Sequence, residues 1–290
     1  MINNLKNAIE IKNLSKRYET FKLDNISFTL PKGYVMGLVG TNGAGKTTTI
    51  KAIMDVVKAD SGELKVFDLP YEGNEVLIKE NIGFVYDESP YFDEYSLEKN
   101  KKLVAPFYPT WDDEKYRYYI RRFKLNEMMK PCELSKGMKM KFSLAMALSH
   151  KAKLLIMDEP TAGLDPIFRS ELLDLLFEVI KEEEISILFS SHITSDIEKL
   201  ADYVTCIDNG TVIFSEEKEQ LLEGYSIVKG PKELYTDEIK ELLLSSKELM
   251  YSFEGLTNNI DKIKSIYGDK LTFDYPTLEE IIVHHIKSSK

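Results

Sequence analysis

The chain has 290 residues, 43% of them apolar and 11% aromatic, and a formal net charge of −10. That length suits two unequal domains, the apolar content fills a core and excludes wholesale disorder, and the acidic balance argues against a nucleic-acid partner, whose phosphates call for a basic face. Cys132 and Cys206 stand far apart, which builds neither a disulfide framework nor a zinc site and suits a reducing compartment.

Residues 1–13 lack the apolar centre of a signal peptide, and no apolar run approaches the roughly 18 residues of a membrane helix, so a cytoplasmic protein is expected. In chain order, alternation over 8–14 and 23–30 predicts two strands, ending at Pro31-Lys32-Gly33. The apolar run 34–39 predicts a third, followed by a glycine-rich stretch at 40–45 and a helix over 47–57. Residues 64–67 and 82–86 read as further strands. Between about 89 and 150 helical spacing takes over, as in 112–123 and 137–148. Strands at 154–157, 185–189 and 204–207 then alternate with helices at 167–181 and 194–200. Nearly all-apolar strands alternating with helices predict a parallel sheet covered on both faces, interrupted here by a helical insertion. From about 224 short apolar segments form a second, smaller α/β unit, ending in a helix over 277–286 that Thr277 and Glu280 cap reciprocally. Glu182–Glu184 reads as a solvated helix end.

Two segments carry chemistry. Gly40-Thr-Asn-Gly-Ala-Gly-Lys-Thr47 lies between a strand and a helix and matches the P-loop pattern. Its glycines let backbone N–H groups turn inward around phosphates at the positive end of the following helix. Lys46 is placed for the β- and γ-phosphates and the Thr47 hydroxyl for Mg²⁺. Leu154-Leu-Ile-Met-Asp158-Glu159 is an apolar strand ending in two carboxylates. Asp158 suits a second metal anchor through water, and Glu159 suits a base for the attacking water.

Taken together, the chain resembles the ATP-binding subunits of ABC transporters from residue 8 to about 215. Asp158-Glu-Pro-Thr-Ala-Gly-Leu-Asp165-Pro166 looks like that family's Walker B and D-loop, and Ser190-Ser-His192 stands where it keeps a switch histidine. Leu134-Ser-Lys-Gly-Met138 stands in the place of its signature, and Tyr18 falls where it stacks an aromatic on adenine. The resemblance implies an α/β P-loop NTPase fold with an antiparallel β subdomain, a mostly parallel core sheet, a helical insertion and a small C-terminal α/β unit. The domains are expected at 1–223, with the helical part at about 89–150, and at 224–290.

It also implies ATP and Mg²⁺ as cofactors. Tyr18, Asn42, Gly43, Ala44, Gly45, Lys46, Thr47, Thr48 and Asp165 would then bind nucleotide, with Ser135 and Gly137 covering the nucleotide of an opposing subunit. Glu159, His192 and Asp87 would serve catalysis, and Thr47, Asp158 and Asp87 the metal. Asp87 departs from the family, which has glutamine there; Lys136 and Met138 depart from its signature glycine and glutamine. With Ser135 and Gly137 intact, an active ATPase is expected.

The departures and the terminal unit resemble the YtrB/BcrA-like ATPases of Gram-positive bacteria, which serve separate permeases exporting antimicrobial or amphipathic peptides, phenol-soluble-modulin exporters among them. The partners so implied are an ABC-2-type transmembrane permease and a second ATPase subunit, the same chain or a paralogue, at the inner face of the cell membrane. Two alternatives stay open: a soluble ABC protein not tied to transport, which the single P-loop disfavours, and a slow or non-hydrolysing regulator, which Glu159 and His192 oppose but Asp87 allows. Ten aromatics fall between residues 86 and 119. Phe107, Tyr116 and Tyr119 are expected in the core, and Tyr91, Phe92 and Tyr95 in a permease groove with Trp111 or Tyr108 nearby.

Overall fold

The computed structural model describes residues 6–86, 90–183 and 185–288. Strands β1 (Asn7–Arg17) and β2 (Lys22–Pro31) pair antiparallel, and β3 (Val35–Val39) is buried along its whole length. The phosphate-loop segment leads into α1 (Lys46–Ile53). This helix ends earlier than its apolar pattern predicts, because Met54 closes the last turn on Ile50 and Asp55 then takes a positive φ of 54°. Strands β4 (Ser61–Val66) and β5 (Leu69–Pro70), helix α2 (Glu75–Glu80) and strand β6 (Ile82–Val85) follow.

The insertion consists of α3 (Leu97–Val104), α4 (Asp113–Arg122) and α5 (Lys136–Leu148). Asp112 caps α4 by accepting from the Glu114 and Lys115 N–H groups, and acidic residues in the first turn and arginines in the last suit the helix dipole. The core sheet resumes with β7 (Leu154–Met157), α6 (Pro166–Glu183), β8 (Ser186–Ser191), α7 (Thr194–Leu200), β9 (Tyr203–Asp208), β10 (Thr211–Glu217) and α8 (Lys218–Glu223). The terminal unit adds β11 (Ser226–Pro231), α9 (Asp237–Lys240), β12 (Ser245–Glu248), β13 (Ser252–Thr257), α10 (Ile260–Tyr267), β14 (Thr272–Asp274) and α11 (Leu278–Ser288).

Three sheets result, ordered β2-β1-β4-β5, β10-β9-β3-β8-β7-β6 and β12-β13-β11-β14. The first and third are antiparallel, and the middle one is parallel except for β10. Alternate residues of the middle strands enter different cores. Val35, Leu155, Ile187 and Phe189 join the helical side, while Met36, Leu154, Ile156 and Leu188 join the side of the β subdomain. A strand covered on both faces can be apolar at every position, which is the pattern the sequence shows.

The terminal unit has a small core of its own around Val228, Phe253 and Ile263. Its last helix leaves that core: Leu278, Ile281 and Ile282 pack into the large helical-side core. The capping box at its start forms, with the Thr277 N–H donating to Glu280 Oε2 at 2.8 Å and the Glu280 N–H to Thr277 Oγ1 at 3.2 Å. Among the described residues no helix is long and apolar enough to cross a membrane.

The aromatic segment divides differently from its expected partition. Tyr116 and Tyr119 are buried, but Phe107 is 76% exposed because its short 3₁₀ turn ends at the surface. Tyr91 packs edge-on against Phe142 at 4.7 Å and Tyr108 stacks on His150 at 3.9 Å, so both rings are partly taken up by packing within the insertion. Burial pushes the Tyr91 hydroxyl well above its usual range.

His150 sits where the insertion returns to the core, with Thr110 Oγ1 donating to its carbonyl. Burial lowers its imidazole from the ordinary 6.5 to about 4. The unfolded chain takes up that proton first, so the native state loses stability as the pH falls from 6.5 towards 4, by up to about 3 kcal/mol. Urea denaturation across this range will therefore show a steeper acid loss for the native chain than for His150→Phe, which keeps the stack on Tyr108.

Candidate functional site

The P-loop wraps a cavity of about 550 Å³ lined by Asn42, Gly43, Ala44, Gly45, Lys46, Thr47 and Thr48, with Phe21, Glu159, Ala162 and His192 completing its wall. That volume suits a small-molecule ligand. Two glycines shape the loop by what they lack. Gly45 has φ 119°, and a Cβ there would meet Leu23 Cδ2 at 2.6 Å; a Cβ at Gly40 would meet the Ile207 carbonyl at 2.1 Å. The loop can therefore turn inward between β2 and β9 only with glycine at both places.

Lys46 is 6% exposed. Its ammonium donates to the carbonyls of Gly40 at 2.9 Å and Thr41 at 3.3 Å and lies 3.3 Å from Glu159 Oε1. Glu159 follows the carboxyl end of β7 with a positive φ of 49°, a conformation that costs a non-glycine residue energy. Ser190 holds it there: its hydroxyl accepts the Glu159 N–H at 2.8 Å and donates to Asp158 Oδ1 at 2.6 Å. The second Glu159 oxygen meets His192 Nδ1 at 2.7 Å and the His192 backbone N–H at 3.3 Å. One carboxylate is thus shared between a cation from the P-loop and an imidazole from the end of β8. This arrangement can bind a polyphosphate on the backbone and Lys46, and it places a base and a neutral or cationic donor at its far end.

The remaining expected residues are distributed differently. Tyr18 is exposed and does not line the cavity, with the Lys16 ammonium 6.0 Å from its ring centre. The aromatic that does line it is Phe21, in the turn before β2. Sequence reading passes over Phe21, although an aromatic abutting the second strand of the β subdomain was the available signal. Ser135 caps α5 by accepting the Met138 N–H at 3.3 Å, and a Cβ at Gly137 would lie 2.9 Å from the Phe168 ring. Asp165 caps α6, accepting the N–H groups of Ile167 and Phe168 at 3.1 and 3.0 Å. None of these three lines the Lys46 cavity. Asp87 lies outside the described residues.

A further residue escapes sequence reading. Asn100, buried in α3, accepts the Phe92 N–H at 2.9 Å and donates to the carbonyls of Phe92, Tyr95 and Ser96 at 3.1, 3.2 and 3.1 Å. It clamps the loop that presents Phe92, which is 62% exposed. Only the folded loop reveals this, since a single asparagine within a helix carries no pattern.

The family profile for ABC transporters matches residues 23–162. The chain is 31% identical over 218 residues to the ABC transporter ATP-binding protein YtrB of Bacillus subtilis (strain 168), spanning 75% of this chain and 74% of that protein. It is 32% identical over 214 residues to the bacitracin transport ATP-binding protein BcrA of Bacillus licheniformis, spanning 72% and 69%. Among solved structures, one described as the ATP-binding subunit of an ABC transporter superposes with a TM-score of 0.68 at 27% identity, over 74% of this chain and 92% of that one. With the P-loop, the Glu159 carboxylate and His192 gathered around one cavity, the chain belongs to the ATP-binding, ATP-hydrolysing proteins of the ABC transporter family.

Proposed function

We propose that this chain hydrolyses Mg-ATP as one of two ATPase subunits arranged head to tail, powering a separate ABC-2-type permease that exports amphipathic or antimicrobial peptides, the phenol-soluble-modulin kind included. The observation that carries the ATPase reading is the meeting of Lys46, Glu159 and His192 at the wall of a cavity built on the P-loop. The cargo reading draws on BcrA, whose name records bacitracin transport. Through the permease the chain would sit at the inner face of the cell membrane.

The resting contacts indicate the order of events. A γ-phosphate attracts the Lys46 ammonium away from Glu159 Oε1 and competes for His192. Glu159 is then left with free lone pairs for a water. As that water attacks the γ-phosphorus, its proton passes to Glu159, the bond to the ADP oxygen breaks, and inorganic phosphate forms. Mg²⁺, when bound, neutralises phosphate charge, and the donors fit it: the Thr47 hydroxyl in the cavity wall and the Asp158 carboxylate oriented by Ser190 are hard oxygens. Mg²⁺ takes one or two protein ligands beside phosphates and water, and Thr47 and Asp158 would supply them. Asp87, by its place after β6 in the sequence, is proposed as a further metal-side residue.

The placing of Ser135 and Gly137 supports the head-to-tail reading. Ser135 and Gly137 stand at the N-terminus of α5 and do not line it, yet a helix N-terminus favours an anion. A second subunit would bring those groups over the open side of the nucleotide.

Lys46→Ala will abolish ATP binding measured by fluorescent-nucleotide titration. Glu159→Gln will retain binding while turnover falls by about 10²–10⁴-fold, and Mg-ATP will convert it to a dimer in size-exclusion light scattering. A Glu159→Gln protein that remains monomeric at high concentration sinks the head-to-tail pairing of identical chains.

For the permease, the exposed ring among Tyr91, Phe92 and Tyr95 is Phe92, with Tyr95 5.6 Å from it. Phe92→Ala will weaken permease capture from co-expressed membranes by about 2 kcal/mol and leave basal turnover unchanged. Tyr91→Ala will instead lower the melting temperature, because its ring belongs to the packing on Phe142. Undiminished capture by Phe92→Ala places the docking surface elsewhere.

A further inference from the structure

Helix α7 starts at Thr194, immediately beyond the His192-Ile193 segment. It is seated on the strand that feeds the P-loop: a Cβ at Gly37 in β3 would lie 2.5 Å from Ile197 Cγ2, so the glycine is what lets this helix approach. On its other side lies α6, which follows the loop ending at Asp165. The Arg169 N–H donates to the Asp165 carbonyl at 2.9 Å. The Arg169 side chain then reaches across to α7. Its Nε donates to Asp196 Oδ1 at 2.7 Å, its Nη2 lies 2.6 Å from the same oxygen, and Nη2 also donates to Ser195 Oγ at 2.8 Å.

Asp196 is 1% exposed, and its Oδ2 has no hydrogen-bond partner among the described residues. A buried ion pair with an orphaned carboxylate oxygen is a poor device for stability, since apolar residues of similar size serve as well or better. Its placement suggests another use. It joins the first turn of the helix after Asp165 to the first turn of the helix after His192. Glu159 and Ser191 also hold the His192 segment, but the ion pair ties the starts of the two helices to each other directly.

We propose that Arg169 and Asp196 are positioning residues for hydrolysis: their ion pair fixes the Asp165 loop and the His192 segment as one body. Neither lines the Lys46 cavity. Arg169 acts on one side through the Asp165 carbonyl, and Asp196 on the other through the start of α7. The inference rests on the ATPase reading above, and within a head-to-tail pair it has a specific consequence. Where the Asp165 loop meets an opposing subunit, the strut would make the placement of His192 depend on how the two subunits meet.

Four full-length proteins decide it: the native chain, Arg169→Lys, Arg169→Met, and the double variant Arg169→Met with Asp196→Leu. Melting temperature, nucleotide affinity and maximal turnover are measured on each. Arg169→Met leaves the buried Asp196 carboxylate unpaired and will melt lowest, whereas the double variant removes both charges and recovers most of the loss. Turnover will not follow that recovery. It will fall about tenfold or more in both the Met variant and the double variant, with affinity for ATP within about twofold of native, a loss confined to the catalysed step. Arg169→Lys, which keeps a cation opposite Asp196 without the forked geometry, will retain the native melting temperature and lie between in turnover.

Turnover that tracks melting temperature across the set makes the pair structural and overturns the proposal, as does native turnover in the double variant. Should Arg169→Met not fold, the Lys and double variants still separate the two readings. A native chain that hydrolyses no ATP, where Glu159→Gln is equally inert, would instead sink the ATPase reading itself.

Discussion

Lys46 is a buried cation, and much of the site is arranged around keeping it neutralised. A charge withdrawn from water is costly unless paired and hydrogen-bonded. Two loop carbonyls and the Glu159 carboxylate provide for it. The same need makes the site responsive: triphosphate carries more negative charge than one carboxylate, so its arrival competes directly for the ammonium. Binding and activation thereby become one event. In the proposed mechanism the residue released, Glu159, is the base for the attacking water.

For that exchange to work, Glu159 has to stand in reach of Lys46 although the two belong to loops at the ends of different strands. The fold achieves this by stacking β3, β8 and β7 side by side in parallel, so that the segments beyond their carboxyl ends share one edge of the sheet. Ser190, the penultimate residue of β8, then accepts the Glu159 N–H and donates its own hydroxyl hydrogen bond to Asp158. A hydroxyl with one donor and two lone pairs does both at once. The strain of a positive φ at Glu159 is offset by this bond and by the shared contacts of the carboxylate.

This also explains which parts were legible in the sequence. P-loop, Asp158, Glu159 and His192 each follow an apolar strand, and their chemistry depends on residue type and spacing, which sequence records directly. The alternating burial of β3, β7 and β8 is likewise written as runs of apolar residues. Phe21 and Asn100 are different. Their roles depend on what a neighbouring loop does in space: Phe21 abuts Gly45 at the cavity wall, and Asn100 reaches back to three carbonyls of the preceding loop. The aromatic segment shows the same limit in reverse. Composition identified a surplus of rings, but whether Tyr91 or Phe107 faces the core is set by where one helix ends and the next begins.

The terminal unit is joined to this machinery through the helix that follows His192. Glu198 Oε1 in α7 accepts the Leu278 N–H at 2.7 Å, capping α11 from outside, while Thr194 Oγ1 lies 3.4 Å from Glu279 Oε2. Lys218 donates to the Glu198 carbonyl at 2.8 Å from a third direction. A helix of only two turns has little stability of its own, so α7 takes its position from these neighbours: β3 beneath it, α6 through Arg169, and α11 along its outer side. Three elements far apart in sequence therefore meet on the one short helix that carries the histidine segment. Each of them bears on the helix that begins two residues after His192, and α11, whose apolar face is buried in the ATPase core, is as much a part of that support as the sheet itself.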